Sequence, residues 1–181
     1  VSRFAEHAYE QLDAFIQDAT TGLVARIVDI QAADRENDTL LPTTGWTFVG
    51  HGKKQRKLPA VVIFRDPRST VAQRRRGTQP YEYMFYVVLL LGYAVTKGDP
   101  DTEDRVLDRL DWVLRETFDE TVRWKGHKLS TSSNVARVHD AYLKDVVTDG
   151  IPALPDFNEK KRSVYAAGAV RVTIVENQTH P

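Results

Sequence analysis

Five histidines, His7, His51, His127, His139 and His180, are the first side chains to weigh for chemistry. They are scattered, and none shares a turn of helix with a second ligand in the way an HExxH motif requires, so the spacing gives no metal site. His139 and Asp140 are adjacent, but neighbours on a strand point to opposite faces and form no catalytic dyad. The run Ser130-Thr131-Ser132-Ser133 lacks the glycines of a nucleophile elbow and reads as a solvated loop. Carboxylates are plentiful between residues 101 and 119. Dipole complementarity at a helix start and pairs such as Asp101 with Arg105 and Asp111 with Arg115 account for them. Gly50 and Gly52 flank His51 without the pattern that presents backbone amides to a phosphate. The expectation is a protein with no catalytic residue, no metal and no cofactor, and therefore not an enzyme.

Two basic clusters remain. Lys53, Lys54, Arg56 and Lys57 fall in GHGKKQRK, and Arg74, Arg75 and Arg76 fall in RDPRSTVAQRRRGTQP. Such clusters neutralise phosphates without reading base sequence, or meet an acidic protein surface. Globally the charge is balanced, with 25 Lys plus Arg against 25 Asp plus Glu. Net charge thus favours no class of partner. With no cysteine there is neither a disulfide framework nor a thiolate ligand, which fits a reducing compartment. VSRFAEHAYEQL lacks the basic start and apolar core of a signal peptide. Val87–Leu91 falls far short of the ~20 apolar residues a membrane helix needs, so no membrane partner is expected.

The elements that carry these residues follow from periodicity. The 181 residues suit a single domain spanning residues 1–181. Apolar residues at Phe4, Ala8, Leu12, Phe15 and Ile16, then Leu23, Val24, Ile27, Val28 and Ile30, give two helices or one broken helix, with Thr20 or Thr21 as the second N-cap. A polar connector leads to a short strand at Trp46–Val49. The basic turn Gly50–Lys57 then joins it to a strand at Ala60–Phe64, in the layout of a β-hairpin with a basic tip. Residues 65–80 form a long loop.

Next comes YEYMFYVVLLLGYAVTK, residues 81–97, apolar on both alternating faces, as in a strand covered on both sides. At about 3.3 Å per residue it would exceed roughly 50 Å. Either it bends, with Gly92 as a bulge, or its first half leaves the domain and pairs elsewhere. Asp99 and Pro100 then open a helix as N-cap and first helical residue, with Asp101 and Glu103 at the positive end of its dipole. Val106, Leu107, Leu110, Val113, Leu114 and Phe118 form one stripe facing the sheet. Trp112 projects from the opposite side, among Asp108, Arg109, Arg115 and Asp119, and burying it needs another element or another chain. Strands are expected at Val135–Leu143 and at Ser163–Val175, where Val170, Val172 and Ile174 alternate with Arg171 and Thr173. A loop, residues 149–161, separates them. The fold class is α+β: a mixed, mostly antiparallel sheet with helices packed on one face, and long loops or hairpin arms.

This order of elements resembles the tail terminator and tail completion, or neck, proteins of long-tailed bacteriophages. The resemblance covers nearly the whole chain. It is carried by the layout, by LPAVVIF, and by the strand YVVLLLGYAV before the acidic, arginine-containing helix of GDPDTEDRVLDRLDWVL. It implies a non-enzymatic virion structural protein, made in the host cytoplasm and assembled as a hexameric ring for head–tail joining. The ring's neighbours would be head-connector and tail-tube proteins, with DNA passing through the lumen. On that reading Trp112, Tyr81, Tyr83, Phe85, Arg109 and Arg115 contact neighbouring subunits. Lys53, Lys54, Arg56, Lys57, Arg74, Arg75 and Arg76 face the lumen, where they make non-specific DNA contact, or a partner ring. The alternative is a small DNA-binding or regulatory α+β domain that uses basic loops 53–57 and 74–76.

Overall fold

A computed structural model describes residues 3–20, 22–33, 40–50, 57–66, 79–92, 99–118, 136–147 and 163–176. Its N-terminal helix, α1 (Arg3–Gln17), places Ala8, Leu12, Phe15 and Ile16 on one stripe, and all four are buried. The break after it is built on Gly22, whose N–H donates to the Asp18 carbonyl at 2.9 Å. A Cβ at Gly22 would lie 2.2 Å from the Asp18 carbonyl oxygen and 2.5 Å from that of Ile16, so only glycine fits this close approach. The Gly22 carbonyl in turn accepts from the Arg26 N–H, the first bond of α2 (Leu23–Ala33). Gly22 therefore occupies the N-cap position expected for Thr20 or Thr21. Thr20 instead closes a turn, its N–H donating to Asp18 Oδ1 at 2.8 Å, and Thr21 lies outside the described residues.

α2 buries Leu23 and Ile27, one turn apart. Val28, expected with them, sits about 100° round the helix from Ile27 and is 46% exposed. The described residues before β1 are held in place. Leu41 is buried in the core, its carbonyl accepts from Gln31 Nε2 at 2.9 Å, and the Trp46 indole N–H donates to the Pro42 carbonyl at 2.7 Å.

The sheet contains β1 (Thr47–Val49), β2 (Ala60–Arg65), β3 (Gln79–Gly92), β4 (Ala136–Val147) and β5 (Ser163–Glu176), in the order β1-β2-β3-β5-β4. β1 and β2 are parallel, with Thr47 opposite Ala60 and Val49 opposite Val62, which overturns the expected hairpin. The chain leaves β1 at Val49, level with Val62, yet enters β2 at Ala60, level with Thr47, and a tight turn cannot join those ends. The basic run falls in the stretch between these two parallel strands, and of its basic residues only Lys57 is described. The other pairings, β2 with β3, β3 with β5 and β4 with β5, are antiparallel, so the sheet is mixed and mostly antiparallel.

β3 is central, shows no bulge at Gly92, and pairs along its whole described length with β5 of the same chain, so its first half stays in the domain. It runs in unbroken register with β5 from Gln79 opposite Glu176 to Gly92 opposite Ser163. The irregularities fall in β4, between Val138 and Asp140 and between Leu143 and Asp145. On the other side of β3, β2 covers only Phe85–Leu90, extended by the Asp66 N–H donating to Met84 O at 2.9 Å. Residues 93–97 of the expected strand lie outside the described residues.

All three helices lie on one face of this sheet. The main core joins α1 and α2 to Val61, Ile63, Tyr83, Phe85, Val87, Leu89, Leu91, Val170 and Val172, together with the inner stripe of α3 (Pro100–Thr117). The opposite face carries a smaller cluster of Val49, Ala60, Val62, Phe64, Val88, Leu90 and Ala167, without a helical residue. Alternation along β2 and β3 produces this division, odd positions facing the helices and even positions the second cluster. Where α3 crosses β5 the backbone is close. A Cβ at Gly168 would stand 2.9 Å from Leu143 Cδ1 and 3.3 Å from Leu114 Cδ2. The described residues thus form an α+β arrangement of three helices and a five-stranded sheet.

Candidate functional site

The sequence of α3, PDTEDRVLDRLDWVLRET, settles its own position. Asp99 is the N-cap: its carboxylate accepts from the Thr102 N–H at 3.3 Å and from the Thr102 hydroxyl, and its carbonyl accepts from the Glu103 N–H at 3.0 Å. The bonds to the carboxylate, that from the Thr102 hydroxyl first and those from backbone N–H groups after it, hold the Asp99 carboxyl below its ordinary pKa because they favour the charged form. Pro100 at the first helical position needs no N–H partner there. Val106, Leu110, Val113, Leu114 and Phe118 are buried, as the periodicity predicts. Thr117, buried with them, satisfies its hydroxyl on the Val113 carbonyl at 2.6 Å. Rings close this end of the core, with Phe118 6.1 Å from Phe15 between centroids.

Turned about 170° from that stripe is Trp112, 49% exposed. Its surroundings carry both charges, with Asp108 and Arg109 one turn before it and Arg115 and Glu116 one turn after. Over α3, six carboxylates stand against three arginines, a net charge of −3 that the rest of a neutral chain offsets. Asp108, one turn before Trp112, is exposed, as are Asp101 and Asp104 nearer the N-terminus. Asp111 and Arg115 neutralise one another through a two-pronged bond, Nε to Oδ2 at 2.7 Å and Nη2 to Oδ1 at 3.0 Å. Asp111's hydrogen bond holds the Arg115 guanidinium further toward its charged form. Arg109 is half-buried. An aromatic ring this exposed, set among charges of both signs, can offer apolar area and charged contacts to a protein partner.

The structure separates the expected contact residues. Trp112 and Arg115 lie on the outer face of α3. Tyr83 and Phe85 do not reach the surface: both are 1% exposed and belong to the core under the helices. Tyr83 supports the Arg65 guanidinium, whose central carbon sits 5.2 Å from the ring centroid, and Phe85 lies 6.4 Å from the Tyr9 ring. They sit there because β3 turns its odd positions toward α1. Tyr81 is placed by register opposite Ile174. Of the basic residues, Lys57 is described and exposed, whereas Lys53, Lys54, Arg56, Arg74, Arg75 and Arg76 lie outside the described residues.

One surface residue was not singled out by sequence. Leu58, 37% exposed, follows Lys57 directly, its Cδ1 3.8 Å from where a Gly92 Cβ would be. Gly92 shares the even parity of Val88 and Leu90 along β3, so Leu58 beside it lies on the helix-free face. Val28, Leu58 and Trp112 are the large apolar side chains exposed among the described residues. Among those residues, too, no group of three or more His, Asp or Glu is disposed to hold a metal ion, and no helix is long and apolar enough to cross a membrane. No protein-family model matches the chain, and no curated protein matches it.

Proposed function

We propose that this chain is a non-enzymatic structural protein of a bacteriophage neck or tail. It is a subunit of an oligomeric ring, hexameric by the resemblance, that joins the head connector to the tail or caps the tail tube, with DNA passing through its lumen. The protein works in the virion after synthesis in the host cytoplasm, and its partners are copies of itself and the adjoining head-connector and tail-tube proteins. The observation that carries the proposal is Trp112. A half-exposed tryptophan on the outer face of a well-capped, core-anchored helix is a rigid anchor of the kind that dominates protein interfaces. The order of elements and the α+β sheet with helices on one face support the same reading. Chemistry enters only as recognition: the apolar ring supplies area, and the charges around it set register and exclude wrong partners.

Negative-stain electron microscopy of the purified chain, alone and mixed with tail tubes, tests the proposal. Closed rings, or density capping one end of the tubes, are expected. Dispersed monomers that leave the tube ends bare contradict it.

A further inference from the structure

Resting on the ring reading, we infer that the outer face of α3 in one subunit receives the Lys57–Leu58 corner of the next, Trp112 against Leu58 and Asp108 against Lys57. The two patches lie on opposite sides of the protomer. Trp112 projects outward from the helix layer, whose α3 packs on β5 and β4. Leu58 lies beside Gly92 on the helix-free face at the β2 side. They cannot meet within one chain, so their pairing is head-to-tail, the type of contact that closes into a ring when the rotation permits.

Composition selects the pairing. Each patch couples an exposed apolar side chain to a charge, and the charges are opposite: Asp108 one helical turn from Trp112, Lys57 adjacent to Leu58. α3 carries −3 overall, while the sequence leading into Leu58 is the basic run Lys53, Lys54, Arg56, Lys57. A second copy therefore supplies both an apolar side chain for Trp112 and a positive charge for Asp108. The occupant of the α3 face is thus a second copy of this chain, presented through its opposite side.

The test uses four full-length variants, W112A, L58A, K57E and D108K, each checked for native circular dichroism and cooperative melting, then followed by mass photometry. W112A and L58A each lose self-association by about 30-fold or more, as expected of an interface anchor. Mixed together, they form a heterodimer that grows no further, because each variant retains the side the other has lost. K57E and D108K each weaken assembly, and the doubly reversed K57E/D108K protein regains it. Rings that persist in the single variants overturn this inference while leaving the ring reading intact. Single variants that lose assembly but do not complement when mixed overturn the head-to-tail pairing. Wild-type protein that stays monomeric at every concentration overturns the ring reading, and this inference with it.

Discussion

Replacing Gly22 with alanine is a sharp test of how α1 and α2 are joined. The added Cβ would stand 2.2 Å from the Asp18 carbonyl oxygen and 2.5 Å from that of Ile16, whereas an ordinary carbon–oxygen contact is about 3.3 Å or more. Both obstacles are backbone atoms, so no rotamer change relieves them. The turn must open, losing the 2.9 Å bond from the Gly22 N–H and swinging α2, whose Leu23 and Ile27 are fully buried. One backbone hydrogen bond contributes about 1 kcal/mol net, and disturbed core packing typically costs a further 1–3 kcal/mol. A loss of about 3 kcal/mol corresponds to a Tm drop of roughly 6–12 °C for a chain of this size. Gly92→Ala is the control. Its Cβ would meet Leu58 at 3.8 Å in an unbulged strand, so it should be neutral or slightly stabilising. Thermal melts by circular dichroism read both variants. A Gly22→Ala protein melting within about 2 °C of wild type would refute the reasoning.

Further expectations concern α3 and its seat. Leu110→Ala empties a fully buried site in the main core and should cost about 2–5 kcal/mol, measured by urea unfolding at an unchanged m-value. Gly168→Val forces a side chain into space held by Leu143 and Leu114 and should destabilise by about 1–3 kcal/mol, whereas a valine at Gly92 meets no such obstacle. Asp99 gives a pH signature. Its carboxyl is held below the ordinary 3.8 in the folded chain, so its contribution is complete above the unfolded value and fades as pH falls through the folded one. The stability gap between wild type and Asp99→Asn should therefore narrow between pH 6 and pH 3, read by urea titration at each pH; a gap that stays constant removes the cap's electrostatic role.

The parts legible in the sequence are those whose cause is local. Asp99, Pro100, the acidic first turn and the stripe from Val106 to Phe118 each act within a few residues, so the position of α3 and the outward turn of Trp112 follow from the chain alone. The alternation of β5 was readable for the same reason. What failed depended on distant partners. The ten residues between Val49 and Ala60 read equally as a hairpin or a return connection, and only the register of Thr47 against Ala60 decides between them. Two apolar faces on β3 announced that both would be covered, but not that the chain's own β5 and α1 would enclose Tyr83 and Phe85. Side-chain chemistry alone points to Thr20 or Thr21 as the N-cap, because a hydroxyl can accept from the orphan N–H groups of a helix start. Close backbone approach at Gly22 overrode that preference.

The proposed binding of a neighbouring subunit by Trp112 and its charged surroundings is tested most directly by sedimentation velocity of the wild-type chain over a roughly hundredfold concentration range. Expected is a concentration-dependent shift from monomer to one discrete, closed oligomer, abolished by Trp112→Ala without loss of folded structure. A single monomeric boundary throughout, or an oligomer indifferent to the loss of Trp112, would contradict it.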